Sequence, residues 1–132
     1  SILTFQQVID LARAGSDRTG RVIGVCPELK HPSHFAAAGL AMEDAFVAVL
    51  ETNDLTGTDA PILIQCFEVG PLQRLAARIA PPRLQLMSVN GGPVDRPDLT
   101  YAAMATPVGL KTVATYAGWI GVEAAMIAHR RP

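Results

Sequence analysis

The sequence predicts an α/β fold built of about four parallel βα units. Short, continuously apolar runs alternate along the chain with segments whose apolar residues recur at helical spacing. The runs are bounded by helices at regular intervals, which is the arrangement of βα units around a parallel sheet. The runs are also apolar throughout, as strands covered by helices on both faces must be.

The elements follow in order. Thr4 and Gln7 form a capping box that opens a helix. Behind it Phe5, Val8, Ile9, Leu11 and Ala12 make an apolar stripe, and Gly15 with Ser16 and Asp17 is expected to end it. Residues 21–30 read as the first strand, with Pro27 near its C-terminal end, where a missing donor matters less. Residues 41–52 read as a helix presenting Met42, Ala45, Phe46, Val49 and Leu50. A loop over 53–61 leads to a second strand over 62–67. Gly70 and Pro71 start the next helix, with Pro71 suited to its first turn and Leu72, Leu75, Ala76 and Ile79 on its apolar side. Pro81 and Pro82 break that helix before a third strand over 83–87. Residues 88–107 interrupt the rhythm as a long loop rich in Gly, Pro and Asp, a kind that is usually functional or disordered. A helix over about 110–116 and a strand over 119–122 close the pattern.

Composition bounds the function. Of 132 residues, 49% are hydrophobic and 17% charged, a balance suited to a buried chain. The net charge of −1 arises from 11 basic and 12 acidic residues with no long run of either sign, which argues against nucleic acid or a membrane surface as partner. No apolar stretch approaches the roughly 20 residues of a membrane span. The opening SILTFQQ lacks the basic region and apolar core of a secretory leader, and the absence of an initial Met suggests a processed or excised chain. Cys26 and Cys66 each fall in an apolar run and read as two buried free thiols, with a disulfide as the alternative. No Cys-x-x-Cys spacing suggests structural zinc.

The densest polar cluster in an apolar setting is Pro27-Glu28-Leu29-Lys30-His31-Pro32, at the C-terminal end of the first strand. In βα architectures active sites form at that end. Alternation along a strand points Glu28 and Lys30 the same way. The pair suits a divalent cation beside a phosphate, the carboxylate holding a hard cation and the ammonium an anion. It suits equally an ordinary ion pair at a strand end. The second cluster is 65–71, where Glu68 is either a ligand or a favourable charge at the N-terminus of the helix it precedes. His31 and His34 read as solvent-exposed loop histidines, and His129 stands alone. Gly91-Gly92 is a turn signal. No serine sits on a strand-to-helix elbow.

These two clusters carry a resemblance. Pro27-Glu28-Leu29-Lys30-His31-Pro32 resembles the P-E-[IL]-K-x-P segment of glycerophosphodiester phosphodiesterases, and Gln65-Cys66-Phe67-Glu68 is similar to their Q-S-F-E segment, with Cys66 for the usual serine. The stretch from His31 to Phe35, then Gly39 to Glu43, resembles the longer bacterial, often periplasmic branch. The opening Leu3-Thr4-Phe5 helix and the segment over 116–121 also fit, so the likeness runs over nearly the whole chain.

The resemblance implies that residues 1–132 are one partial domain, the central part of a TIM (β/α)8 barrel. It implies metal-dependent hydrolysis of a glycerophosphodiester to glycerol 3-phosphate and an alcohol, in the periplasm or outside the cell. It makes Glu28 a ligand of a divalent cation, calcium or magnesium, Lys30 a contact to the substrate phosphate, and Phe67 a pocket wall. The family's general acid and base are two histidines from the N-terminal part of the barrel, one in a His-Arg-Gly motif. That motif is absent here, and His31 and His34 do not match those positions. The chain is therefore expected to carry half an active site and to need missing barrel segments or a second copy of itself to cover its sheet edges. A non-catalytic half-barrel that binds a ligand or self-associates is the competing expectation.

Overall fold

The computed structural model describes residues 2–127, and these form a mixed α/β fold of seven helices and a three-stranded parallel sheet. Helix α1 spans Phe5–Thr19, opened by the Thr4–Gln7 capping box. It runs through Gly15 and stops at Gly20, whose φ of 66° gives the left-handed turn that glycine adopts freely. Gly15 does not end the helix; it clears space, since a Cβ there would meet Ile23 Cδ1 at 2.9 Å.

The first expected strand is the main departure. Residues 21–24 are not extended into a ladder, and Val22 is exposed. Residues 25–29 join the sheet through two isolated parallel bridges, Val25 to Ile62 and Glu28 to Gln65. The hydrogen bonds explain the gap. Val25 N donates to Pro61 O, Leu63 N to Val25 O, Gln65 N to Pro27 O and Leu29 N to Gln65 O. The donor missing from the middle of this series is the nitrogen of Pro27, which carries no proton. Pro27 thus sits inside the ladder, not at its harmless end.

A short helix that the periodicity did not reveal, α2 (Pro32–Ala37), follows at once. Helix α3 (Glu43–Thr52), strand β1 (Ile64–Cys66), helix α4 (Val69–Ala76) and strand β2 (Arg83–Met87) come next. The long loop is partly helical: α5 (Tyr101–Met104) lies within it, and α6 (Pro107–Val113) begins where it was expected to end. Strand β3 (Trp119–Val122) and α7 (Ala124–Ile127) complete the described chain.

The strands lie in chain order, β1-β2-β3, all parallel, with residues 25–29 against the outer side of β1. The register sorts the side chains. Val25, Ile62, Ile64, Cys66, Gln85 and Met87 fall on one face and pack with Val47, Leu50, Val69, Leu72, Leu75, Met104, Val113 and Tyr116 in the core. Cys26, Glu28, Gln65, Phe67, Leu84, Leu86, Trp119 and Gly121 fall on the other, where no helix covers them among the described residues. Trp119 is 59% exposed and Phe67 37%. A Cβ at Gly121 would meet Leu84 Cδ2 at 2.7 Å, so a larger residue there would push the Leu84 side chain aside. The expectation that every strand is covered on both faces therefore fails on one face.

Side-chain bonds fix the layer. Gln85, wholly buried, donates from Nε2 to the carbonyls of Cys66, Phe67 and Leu86 and accepts at Oε1 from the Tyr116 hydroxyl. Asp95, from the long loop, accepts from the Val69 and Gly70 amides and so caps α4. Buried Asn53 exchanges hydrogen bonds with Gln6 and accepts from Arg13, which docks α1 on the end of α3 beside the stacked rings of Phe5 and Phe46, 5.3 Å apart. Glu43 of α3 pairs with Arg74 of α4; burial is the largest influence and opposes its charge, but the Arg74 bond, a backbone hydrogen bond and the Arg74 charge together hold its pKa low.

Among the described residues, two sheet edges and one sheet face are left open. A cavity of about 870 Å³, walled by Leu3, Phe5, Val8, Leu11, Phe46 and Val49, runs along the free edge of residues 24–29. The accessible surface is 8434 Å² for a 14.0 kDa chain. A folded monomer of that mass exposes roughly 6,700 Å². The chain alone is therefore expected not to persist as a simple monomer. Light scattering on the concentrated 132-residue chain checks this, and a stable, soluble monomer would show that the open face needs no cover.

Candidate functional site

The C-terminal ends of residues 25–29 and β1 form a rim. Glu28 pairs in register with Gln65, so two residues further on Lys30 runs beside Phe67. A cleft of about 350 Å³ opens here, and Glu28, Lys30, His31, Phe67, Val94 and Tyr101 line it. The structure thus brings Glu28, Lys30 and Phe67, which lie up to 39 positions apart in sequence, to one concave site. Glu28 and Lys30 do not form an ion pair: the ion pairs among the described residues are Arg74–Glu43, Arg78–Asp44 and Arg96–Asp98.

Glu68 also borders the cleft, and it stands at the N-cap of α4, where a negative charge is favourable. Its side chain does not cap its own helix α4; it reaches across to α2, accepting from Ser33 N at 3.1 Å and from the Ser33 hydroxyl. It is buried, and these donors together with the N-terminus of α2 offset the cost of burying a carboxylate. Beneath it the Cys66 thiol donates to Leu29 O at 3.1 Å and accepts from Glu68 N at 3.3 Å. A serine hydroxyl in this place could make the same two bonds.

The phenol of Tyr101 donates to Phe67 O at 3.4 Å, and its ring meets that of Phe67 edge-on at 6.0 Å. Burial, reinforced by nearby acidic groups, raises the Tyr101 pKa, so the hydroxyl stays a donor. Tyr101 and Val94 come from the long loop and were not picked out in the sequence; the loop's length was the signal available. At the neighbouring rim position Ser88 Oγ donates to Glu123 Oε1 at 2.6 Å, and Val89 N to the other carboxylate oxygen, closing the end of β2 against β3.

The three histidines separate. His31 lines the cleft from a left-handed backbone conformation, φ 51°. His34 lies on α2, exposed, its ring edge-on to Phe35 at 5.4 Å. His129 lies outside the described residues. For a cation, the described residues contain no group of three or more His, Cys, Asp or Glu. A hard cation takes six or more oxygen ligands, or fewer with water, and Glu28 belongs to no group of three or more acidic, cysteine or histidine donors among the described residues. No helix among them is long and apolar enough to cross a membrane. No protein-family model matches the chain.

The two cysteines are free and unlike: Cys66 is buried, but Cys26 is exposed on the uncovered face, contrary to the expectation of two buried thiols. Burial, with the nearby acidic groups adding, pushes the Cys66 thiol up to about 12 despite a hydrogen bond that favours its thiolate. Only the thiolate reacts. Iodoacetamide at pH 8 is therefore expected to label Cys26 alone in the native chain and both cysteines in denaturant, read by peptide mass. Equal labelling in the native chain would contradict the buried strand end.

Proposed function

We propose that this chain is the central part of a TIM-barrel glycerophosphodiester phosphodiesterase, acting in the periplasm or outside the cell as part of a larger polypeptide. The observation that carries the reading is the convergence of Glu28, Lys30 and Phe67 in one cleft at the C-terminal ends of parallel strands, where βα enzymes place their chemistry. Strands in chain order with helices on one face, and an open face opposite, are what an arc of such a barrel requires.

In this reading Glu28 is one ligand of a calcium or magnesium ion, the remaining ligands coming from outside the described residues. A bound cation polarises phosphoryl oxygens and lowers the cost of negative charge on them. Lys30 holds a phosphate oxygen of the diester as a point charge. Phe67, partly exposed and braced by Tyr101, walls the pocket against the apolar part of the glycerol moiety. Hydrolysis forms a bond from water oxygen to phosphorus and breaks the bond from phosphorus to the leaving alkoxide. A general acid must protonate that alkoxide and a base must take the water proton. Neither group is assigned to this chain.

A second reading, a non-catalytic half-barrel that binds a ligand or pairs with a copy of itself, is favoured by the apolar cavity along the free edge. On either reading the 132-residue chain alone is expected not to hydrolyse glycerophosphocholine with calcium or magnesium present, and cation binding by the larger chain separates the two. In the larger chain, Glu28→Gln is expected to weaken cation binding about tenfold or more and Lys30→Met to leave it nearly unchanged, since only the carboxylate attracts the ion. Calorimetric titration giving equal cation affinity for both variants would remove Glu28 from the proposed role.

A further inference from the structure

The residue between Lys30 and the first turn of α2 is held in a conformation that its neighbours oppose. His31 has φ 51° and ψ 46°, the left-handed region that residues with a Cβ seldom occupy. It also precedes a proline, and the proline ring favours an extended backbone in the residue before it. Three contacts impose the turn. Pro32 is fully buried. Ser33 is bound by Glu68 through both its amide and its hydroxyl. The carbonyl of His31 accepts from Phe35 N at 3.2 Å.

The turn changes where side chains go. In an extended chain Lys30 and His31 would face opposite ways. Here both border the same cleft. The imidazole gains no burial from this placement, because His31 is exposed. Its side chain makes no hydrogen bond with another described residue, so the imidazole itself gains neither burial nor bonding from the turn that Pro32, Ser33 and Phe35 impose. A strained backbone that presents an unpartnered donor to a cleft is a signature of a binding position. Of the other charged groups at the cleft, Glu68 is engaged by Ser33, and Glu28 lies back along the strand from Lys30.

We infer that His31 is a second anion-binding residue of this cleft, donating from its imidazole N–H to an oxygen of the same phosphate ester that Lys30 holds. The inference rests on the phosphodiester reading and adds to it a residue outside the motif positions carried over above. Two adjacent donors grip two oxygens of one phosphate, which fixes its orientation as a single lysine cannot. Glu28 then faces the cation side of the site and His31 the anion side.

Titration calorimetry of the larger polypeptide proposed above with glycerol 3-phosphate, and separately with inorganic phosphate, tests this. Asparagine tolerates the left-handed turn, so His31→Asn removes the imidazole and keeps the backbone. Affinity for both anions is expected to fall about three- to tenfold in His31→Asn and at least as much in Lys30→Met, as for a lost charge-assisted or neutral hydrogen bond near the surface. His34→Asn is expected to bind as the parent does. In nitrogen-edited NMR the His31 ring resonances of the parent are expected to shift on titration and those of His34 to stay. Parent-like affinity in His31→Asn with a loss in Lys30→Met overturns the inference and leaves the phosphate cleft standing. Unchanged affinity in both variants, or no saturable binding by the parent, overturns both.

Discussion

The buried carboxylate of Glu68 governs the rim that borders the cleft. It sits where β1 hands over to α4, yet its bonds go to Ser33 on another segment. That link fixes the start of α2, and α2 fixes the turn at His31 and the exit of Lys30. The same junction anchors the strand beneath it, since Glu68 N donates to Cys66 Sγ and Cys66 donates to Leu29 O. A lone buried carboxylate is costly, and removing its donors would leave a charge worth several kcal/mol of penalty, about 3–5 by analogy with broken buried pairs. The rim is therefore a single unit. Gln85 extends it by holding the Cys66 and Phe67 carbonyls, and Asp95 extends it by capping α4.

A parallel sheet needs cover on both faces, and helices supply it here on one. The consequence is a division along every strand. Residues on the covered face make the core; residues on the other face stay half-buried or exposed. An apolar cavity along the Pro27 edge and an exposed Trp119 near the opposite edge mark where cover belongs. If Glu28 holds a cation, as proposed, the remaining ligands would have to face it across this same uncovered side.

The sequence shows the periodic parts of this fold and hides those made by single distant contacts. Strands β2 and β3 and helix α3 are legible because apolar runs and stripes mark them. Helix α2 is hidden because it is six residues long and owes its start to Glu68, which lies 35 positions away. The gap at Pro27 is hidden because the run 21–30 is apolar enough to look like one strand; only the partner carbonyls reveal that the missing donor falls mid-ladder. Cys26 and Cys66 look alike in sequence, yet alternation puts one on the open face and the other in the core. Glu28 and Lys30 were legible from their position at a strand end. Tyr101 and Val94 were not, because a loop folded back from beyond β2 has no period to read.

The alternation has a further consequence for how the site tolerates change. Positions on the covered face, such as Ile64, Cys66 and Gln85, fill space that nothing else can fill, and each is bonded or packed on all sides. Positions on the open face contribute little to the core, so a change at Glu28 or Phe67 disturbs the packing less than one at Ile64 or Gln85. His31 differs from both, because its backbone is tied to the rim through Pro32, Ser33 and Phe35 although its side chain is not. The left-handed turn there serves the docking of α2, and the imidazole gains no burial from it. Among the residues at the cleft, His31 is thus the one whose backbone the rim fixes while its side chain is left to face the cleft.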